Sequence, residues 1–213
     1  MLFDHVQIFL HLLFLEMFES CYDLTSASFT GFISSIEANA FYRCKSLQNF
    51  TIPEDVFYIG NYAFIYCDSL TTITIPEKVT TIRMECFAFC LNLESVVIHG
   101  NITQIEMSIF ANCPNLTSVI IDGNTSFIGE QMFLNCVSLQ EITLLDNIVS
   151  IQPWSFYNCL SLPSIIIPEK VTIIENHVFD KCSNLTSVTL LGNMTSIGTG
   201  SFLCCYNLSS LEF

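Results

Sequence analysis

Apolar residues return along this chain in fixed columns, 23 residues apart. Each unit holds an isoleucine, a phenylalanine five residues later, a cysteine three after that and a leucine three further on, and eight consecutive units keep this order. The isoleucines are Ile36, Ile59, Ile82, Ile105, Ile128, Ile151, Ile174 and Ile197. One fixed period is typical of a solenoid, in which each unit forms one turn and like residues stack in columns.

Within a unit, the pattern predicts two extended segments and a turn. After Leu70 and Thr71, residues 72–75 alternate polar and β-branched apolar side chains, which predicts a short strand with one buried face. Proline or glycine often follows and ends that strand. A second apolar pair, Val79 and Ile82, indicates another brief extended segment. The stretch between isoleucine and cysteine, such as 60–67, is predicted to hold a short helical turn.

The repeat columns run along the chain without a break, so the sequence predicts one continuous domain. Residues 36–213 hold eight repeats, the last of which ends at its strand. The register continues backwards through Leu24 and Phe18 to Leu13, so we interpret residues 1–35 as a degenerate N-terminal repeat.

The two ends leave alternatives open. Residues 1–15 are apolar enough for a signal-like segment, but they lack a basic start and are interrupted by Asp4. Solenoids normally need polar caps, and neither end shows one. Either the chain is part of a longer array, or its uncapped termini associate end to end with other molecules.

The repeat resembles a known family. Its consensus, I-x-x-x-x-F-x-x-C-x-x-L-x-x-[IV]-x-[IL]-P-x-x-V-x-x, is found almost whole at 59–81 and 151–173, and resembles the BspA-type leucine-rich repeat. The resemblance covers residues 13–213. It implies a leucine-rich-repeat β-solenoid or horseshoe, with one parallel strand and a short helical or extended turn per repeat.

The same resemblance carries a functional expectation. Members of this family occur on oral and gut bacteria and in parasitic protists, and those characterised resemble surface adhesins that bind host matrix proteins and other cells. The resemblance therefore implies a non-catalytic, cell-surface or secreted module, similar to a surface antigen, whose ligands are extracellular-matrix or cell-surface proteins.

Charge and hydropathy exclude some classes of partner. The formal net charge is −14, and the six lysines and arginines are scattered rather than clustered, which argues against nucleic acid as a partner. No uninterrupted apolar run reaches the roughly 18 residues of a spanning helix, so the sequence predicts no transmembrane segment.

The chain shows no converging catalytic groups. Its four histidines (His5, His11, His99 and His177) occupy different positions of the repeat. No serine or cysteine lies at a repeat position that would bring it next to a general base. We therefore predict no catalytic and no cofactor-binding residues.

Eleven cysteines raise the question of disulfides or metal. Nine fall in one column, where parallel neighbours place their Cβ atoms about 4.8 Å apart, whereas a disulfide prefers about 3.8 Å. The favoured interpretation is a ladder of buried thiols. The clustered C-x₂-C pairs of a zinc site are missing, so no metal site is predicted. Cys86 falls in a column of small core residues, and Cys204, in a variable column, is predicted to be the exposed, reactive thiol.

The outward strand positions form the surface best suited to binding. The candidate protein-binding face consists of Thr72, Thr74, Ser95, Val97, Ser118, Ile120, Glu141, Thr143, Ser164 and Ile166. It is a Ser/Thr sheet with an apolar streak at Val97, Ile120 and Ile166. An acidic row follows the strands, at Glu54, Glu77, Asp122, Asp146 and Glu169. A broad, regular face suits protein binding through many small contacts. The alternative is that Ser and Thr are merely good strand formers facing water.

The compartment also has two interpretations. Seven N-x-[ST] sequons, at Asn49, Asn101, Asn115, Asn124, Asn184, Asn193 and Asn207, suit a secreted protein, although three of them arise from one repeat column. The thiol-rich column suits a reducing compartment instead. A cytoplasmic leucine-rich-repeat scaffold or structural protein is therefore the alternative to the surface module.

Overall fold

The computed structural model describes residues 5–8 and 15–212, which form a parallel β-solenoid of about eight turns. The strands that follow the repeat leucines carry the broad face of the coil. They are β1 (His5–Ile8), β2 (Ser26–Phe29), β4 (Asn49–Phe50), β6 (Thr72–Ile75), β8 (Ser95–Ile98), β10 (Ser118–Ile121), β12 (Glu141–Thr143), β14 (Ser164–Ile167), β16 (Ser187–Leu190) and β18 (Ser210–Glu212).

A second set of two-residue strands ends on the repeat isoleucines. They are β3 (Ser35–Ile36), β5 (Tyr58–Ile59), β7 (Thr81–Ile82), β9 (Gln104–Ile105), β11 (Phe127–Ile128), β13 (Ser150–Ile151), β15 (Ile173–Ile174) and β17 (Ser196–Ile197). The second extended segment expected from Val79 and Ile82 is thereby confirmed. The described part of the chain contains no helix, and hence none that could cross a membrane.

Strand pairing follows the 23-residue register. Thr72 lies opposite Ser95 in the β6–β8 pair, and Ser118 lies opposite Glu141 in the β10–β12 pair. The β1–β2 pair differs, because His5 lies opposite Ser26, a separation of 21 residues. Leu13, which extends the register furthest back, lies outside the described residues, as do residues 1–4 and 9–14 of the signal-like segment.

A ladder of phenylalanine rings runs along the core. From Phe18 to Phe202, the repeat phenylalanines stack with ring centroids 5.0 to 5.9 Å apart and within 25° of parallel. The repeat isoleucines and leucines surround them and are almost all fully buried. Each stacked pair contributes about 0.5–1.5 kcal/mol beyond its buried area, so neighbouring turns stabilise one another.

The segment between isoleucine and cysteine is a turn, but not a helical one. Tyr62 and Tyr66 have φ near +60°, and corresponding left-handed residues recur in every repeat. Their N–H groups donate to the next repeat, Tyr62 N to Met84 O at 3.0 Å and Tyr66 N to Ala88 O at 3.1 Å. A helix would have used these donors internally. The helical form is disfavoured because these N–H groups are the donors of the hydrogen bonds to the neighbouring turn.

The predicted ladder of buried thiols is confirmed. All eleven cysteines are free, and the thiol of Cys67 donates to the carbonyl oxygen of Phe41 at 3.3 Å. The same oxygen accepts the N–H of Cys44 at 3.0 Å. The column thus requires a small side chain with one donor, which cysteine supplies. Cys86 is buried as expected, and Cys204 is partly exposed.

The sheet of long strands is interrupted between β12 and β14. In six of the other repeats, the N–H two residues before the first inward strand position donates to the preceding turn, as from Glu94 to Thr71 O at 2.8 Å and from Gln140 to Thr117 O at 2.9 Å. Thr71 N makes no such bond, and the sheet is also interrupted there, between β4 and β6. Pro163 occupies this position next to Gln140 and has no N–H to donate. The strands β6–β8–β10–β12 therefore form one sheet and β14–β16–β18 another.

Candidate protein-binding face

The outward residues of β6, β8, β10 and β12 lie in straight rows across one sheet. Thr74, Val97, Ile120 and Thr143 are register partners in successive strands. Inward neighbours such as Val96 are buried, which leaves these rows facing away from the core.

The predicted apolar streak is divided into two parts. Val97 and Ile120 are adjacent across β8 and β10, and Ile120 is 53% exposed. Ile166 is 59% exposed but lies on β14, beyond Thr143 and beyond the sheet interruption. The ten predicted face residues therefore occupy two sheets, with Ser164 and Ile166 separated from the other eight.

Part of the acidic row surrounds a cleft at the end of these strands. Glu54, Glu77 and Asp122 line a cavity of about 500 Å³, together with Thr74 and His99. A narrower cleft of about 160 Å³ lies between β4 and β6, where the sheet is also interrupted, and shares Glu54, Thr74 and Pro76 with the first. Asp146 and Glu169 are exposed outside this cleft.

Glycines shape the floor of the larger cleft. Glu54 and Glu77 share a column with Gly100 and Gly123, so two turns carry carboxylates there and the next two carry no side chain. A Cβ on Gly123 would lie 2.2 Å from the carbonyl oxygen of Gly100. Glycine is required because successive backbones approach closely at this bend.

The carboxylates of the cleft are only partly compensated. Asp122 Oδ1 lies 2.6 Å from His99 Nδ1. Among the described residues, neither Glu54 nor Glu77 has a cationic nitrogen within 4 Å. The larger cleft has no lysine or arginine in its lining. It is therefore a region of unbalanced negative charge.

Most cations are engaged elsewhere. Lys78 bonds Asp55 at 2.6 Å, Lys45 lies 3.4 Å from Asp68, and Arg83 pairs with Glu106. Each pair joins neighbouring repeats. The hydrogen bond to Asp55 raises the pKa of Lys78. These cations help neighbouring turns to associate, and of the three only Lys78 also interacts with a carboxylate of the cleft, Glu54, so the cleft is compensated only in part.

The two described histidines lie apart. His99 borders the acidic cleft, whereas His177 stacks on Trp154 with centroids 5.5 Å apart and lies 3.1 Å from Asp180 Oδ2. In the described chain, no Ser, Thr or Cys side chain is hydrogen bonded to either imidazole, and no group of three potential ligands is arranged to hold a metal ion. The side chains of His5 and His11 lie outside the described part.

Burial suppresses thiol chemistry in the cysteine column. Desolvation raises the pKa of Cys113 to about 12, and raises that of its column neighbours Cys90 and Cys136 well above the ordinary value. Because the thiolate is the nucleophilic and metal-binding form, these cysteines are inert at neutral pH.

A second surface patch was missed by the sequence analysis. On the turns, Arg43 lies over the rings of Tyr42 and Tyr66 at 5.0 and 5.5 Å, and Tyr66 stacks on Phe89 at 4.9 Å. These rings pack around Ile65, outside the main core. The patch comes from two turn columns that are aromatic at only a few positions, Tyr42 and Tyr157 in one and Tyr66 and Phe89 in the other, so no repeating pattern marks it.

Comparisons with known proteins agree with this architecture. A leucine-rich repeat protein from Bacteroides ovatus has a similar structure, with a TM-score of 0.88 and 31% identity over 94% of this chain. This chain spans 52% of that protein's length. A leucine-rich repeat protein of T. pallidum has a TM-score of 0.59 and 26% identity over 87% of this chain, which in turn covers 78% of it.

A third structure shares the fold alone. A leucine-rich cell surface protein from Faecalibacterium prausnitzii has a TM-score of 0.52 and 24% identity, with 98% of this chain and 59% of that one covered. No curated protein matches the sequence. The family model for the BspA-type leucine-rich repeat region matches residues 15–138 and 103–213. The chain therefore belongs to the BspA-type leucine-rich repeat family.

Proposed function

We propose that this chain is a non-catalytic module at the cell surface, which binds proteins of host or neighbouring cells through its strand face. Its family supports protein binding. The observation that carries the choice of face is the register pair Val97 and Ile120. An adjacent apolar pair in the middle of a Ser/Thr sheet, with Ile120 half-exposed, favours a contact surface over a face that only meets water.

The sequons support the surface location. All seven asparagines have exposed side chains. Exposure is compatible with glycan attachment in the secretory pathway. The Faecalibacterium prausnitzii protein, which shares the fold, is named a cell surface protein.

An intracellular scaffold is the second candidate function. It is favoured by the eleven free cysteines, since reducing compartments keep such thiols unpaired. Labelling of intact against permeabilised cells separates the two. Label on intact cells, with glycans on Asn101 or Asn124, is expected; label only after permeabilisation would exclude the surface proposal.

The face is tested by a conservative double substitution. Thr74 and Thr143 flank Val97 and Ile120 in the same row, so threonine is compatible with the fold there. Val97→Thr with Ile120→Thr is expected to reduce adhesion of the protein to host cells or matrix severalfold. The matched control is Val149→Thr, because Val149 is 50% exposed in a different column. Equal loss in both variants would argue against the strand face.

End-to-end association stays a prediction. In the turn of β18, Phe202 and Leu208 are only partly buried, whereas their counterparts Phe179 and Leu185 are fully buried. A second molecule packed on this turn would cover them. Light scattering of the purified chain over a concentration series tests it, with a constant monomer mass as the contrary result.

A further inference from the structure

The acidic cleft and the apolar pair lie next to each other on the strand face. Asp122 follows Ile120 by two residues, a distance of about 7 Å along an extended chain. Thr74 belongs both to the lining of the cleft and to the row of Val97 and Ile120. A single ligand can therefore contact the cleft and the apolar pair together.

We propose that the partner bound by this face is a basic protein segment, in which an apolar residue is followed two residues later by lysine or arginine. This inference rests on the proposed function and names the class of its partner. In an extended segment, residues two apart point to the same side. The apolar side chain covers Ile120 and Val97 while the cation enters the cleft beside Glu77 and Asp122.

Charge complementarity favours this occupant. The cleft of about 500 Å³ has three carboxylates and no lysine or arginine in its lining. Lys78, whose charge interacts with Glu54, is hydrogen bonded to Asp55 of the neighbouring repeat at 2.6 Å and so compensates the cleft only in part. An acidic partner would be repelled, and a purely apolar one would leave the carboxylates facing low-dielectric surroundings.

The volume of the cleft also suits a long side chain. The interruption between β4 and β6 adds the narrower cleft beside Glu54. Lysine and arginine carry their charge on long apolar stems, which pack against apolar surface while the charged head reaches a carboxylate. Here the stem would lie against Pro76 and the head among the three acids.

The test uses defined peptides and the whole chain. The probe is a short fluorescent peptide of repeating Leu-Ser-Lys-Ser, and two further peptides replace its Lys by Glu or its Leu by Ser. The Lys/Leu peptide is expected to bind best in fluorescence anisotropy, and more weakly as ionic strength rises. The triple variant E54Q/E77Q/D122N is expected to weaken it by about tenfold.

A matched variant controls for overall charge. E19Q/E130Q/E175Q removes the same number of carboxylates, from positions away from the cleft lining. It is expected to leave the affinity within about twofold. Equal weakening by both triple variants would overturn the proposal, as would equal binding of the Glu/Leu peptide.

The two proposals fail in different ways. If Val97→Thr with Ile120→Thr abolishes cell adhesion while E54Q/E77Q/D122N leaves both adhesion and peptide binding unchanged, the basic-segment inference is wrong and the strand face stands. If the double threonine variant adheres normally, the proposed face itself is wrong.

Discussion

The thiol of Cys159 donates a hydrogen bond to the carbonyl oxygen of Phe133, 26 residues earlier, at 3.3 Å. That oxygen also accepts the N–H of Cys136 at 3.1 Å. The cysteine column therefore joins each turn to its predecessor at a buried carbonyl. Each contact is made by a weak donor in a small side chain, and Cys159 is fully buried there.

Removal of one thiol from this column should destabilise the solenoid. Cys159→Ala loses the S–H donor and part of the buried volume, and we expect the free energy of unfolding to fall by about 2 kcal/mol. Urea unfolding measures the difference. Cys204→Ala is the control, because Cys204 is only partly buried, and it should change stability by less than about 0.5 kcal/mol. Equal losses would contradict a specific role for the column.

Alkaline pH should destabilise the fold through the same thiols. Burial raises the pKa of Cys113 from 9.0 to about 12. Above pH 9 the unfolded chain loses these protons while the folded chain retains them, so stability is full below pH 9 and falls as pH rises towards 12. Each such thiol contributes up to about 1.4 kcal/mol per pH unit in this window.

Comparison with one variant isolates this effect from other titrating groups. Other groups that titrate at alkaline pH, such as tyrosines and lysines, are the same in the unchanged chain and in the variant Cys113→Ala. Cys113→Ala should therefore show a shallower loss of stability between pH 9 and 11 than the unchanged chain. Parallel pH profiles would mean that the buried thiols do not cause the loss.

At the turn positions with positive φ, stability should depend on how well each residue type tolerates the left-handed backbone conformation. Glu85 has a φ of 51°, and Asn39, which lies in the same column two repeats earlier, has a φ of 57°. Because β-branched residues are strained there, Glu85→Val should lower the free energy of unfolding by roughly 1–2 kcal/mol, whereas Glu85→Asn should not lower it. The same two substitutions at Glu94, which is not left-handed, should differ little. A Val penalty of equal size at Glu94 would contradict the backbone explanation.

Pro163 should account for the interruption between β12 and β14. Thr71, Thr117 and Thr186 occupy its column, so Pro163→Thr supplies an N–H without a foreign side chain. We expect the new amide of residue 163 to be protected from hydrogen exchange by its bond to Gln140 O, and exchange at the Ser164 amide to slow severalfold relative to the unchanged chain. Overall stability should change by less than about 1 kcal/mol, since the loss of proline's restraint on the unfolded chain offsets the bond. Unprotected amides in the variant would contradict this cause.

Much of the fold follows from the columns alone. The spacing of Ile59, Phe64, Cys67 and Leu70 predicted the solenoid, the buried ladders and both extended segments, because each column holds one kind of residue. The turn between Ile59 and Cys67 was mispredicted as helical. Its backbone is decided by hydrogen bonds to the next repeat, which a local pattern does not contain.

The sequence places the residues of the candidate face, but not the breaks in the sheet that carries them. Alternation placed Val97, Ile120 and Ile166 at outward positions, but it did not predict that a sheet interruption separates Ile166 from the other two. The cleft at Glu54 and Asp122 combines residues from different repeat columns. It also lies where the sheet that ends at β4 and the sheet that begins at β6 are separated. Its shape depends on where backbones diverge, which the sequence pattern does not describe.

The most direct test of the strand face is a photo-cross-linking measurement. A benzoylphenylalanine at position 120 or, as a control, at position 149 is introduced into the protein, which is then bound to host cells and illuminated. Strand-face binding predicts covalent adducts with a cell-surface protein from position 120 and few or none from position 149. Adducts from position 149 alone, or equal yields from both positions, would contradict it.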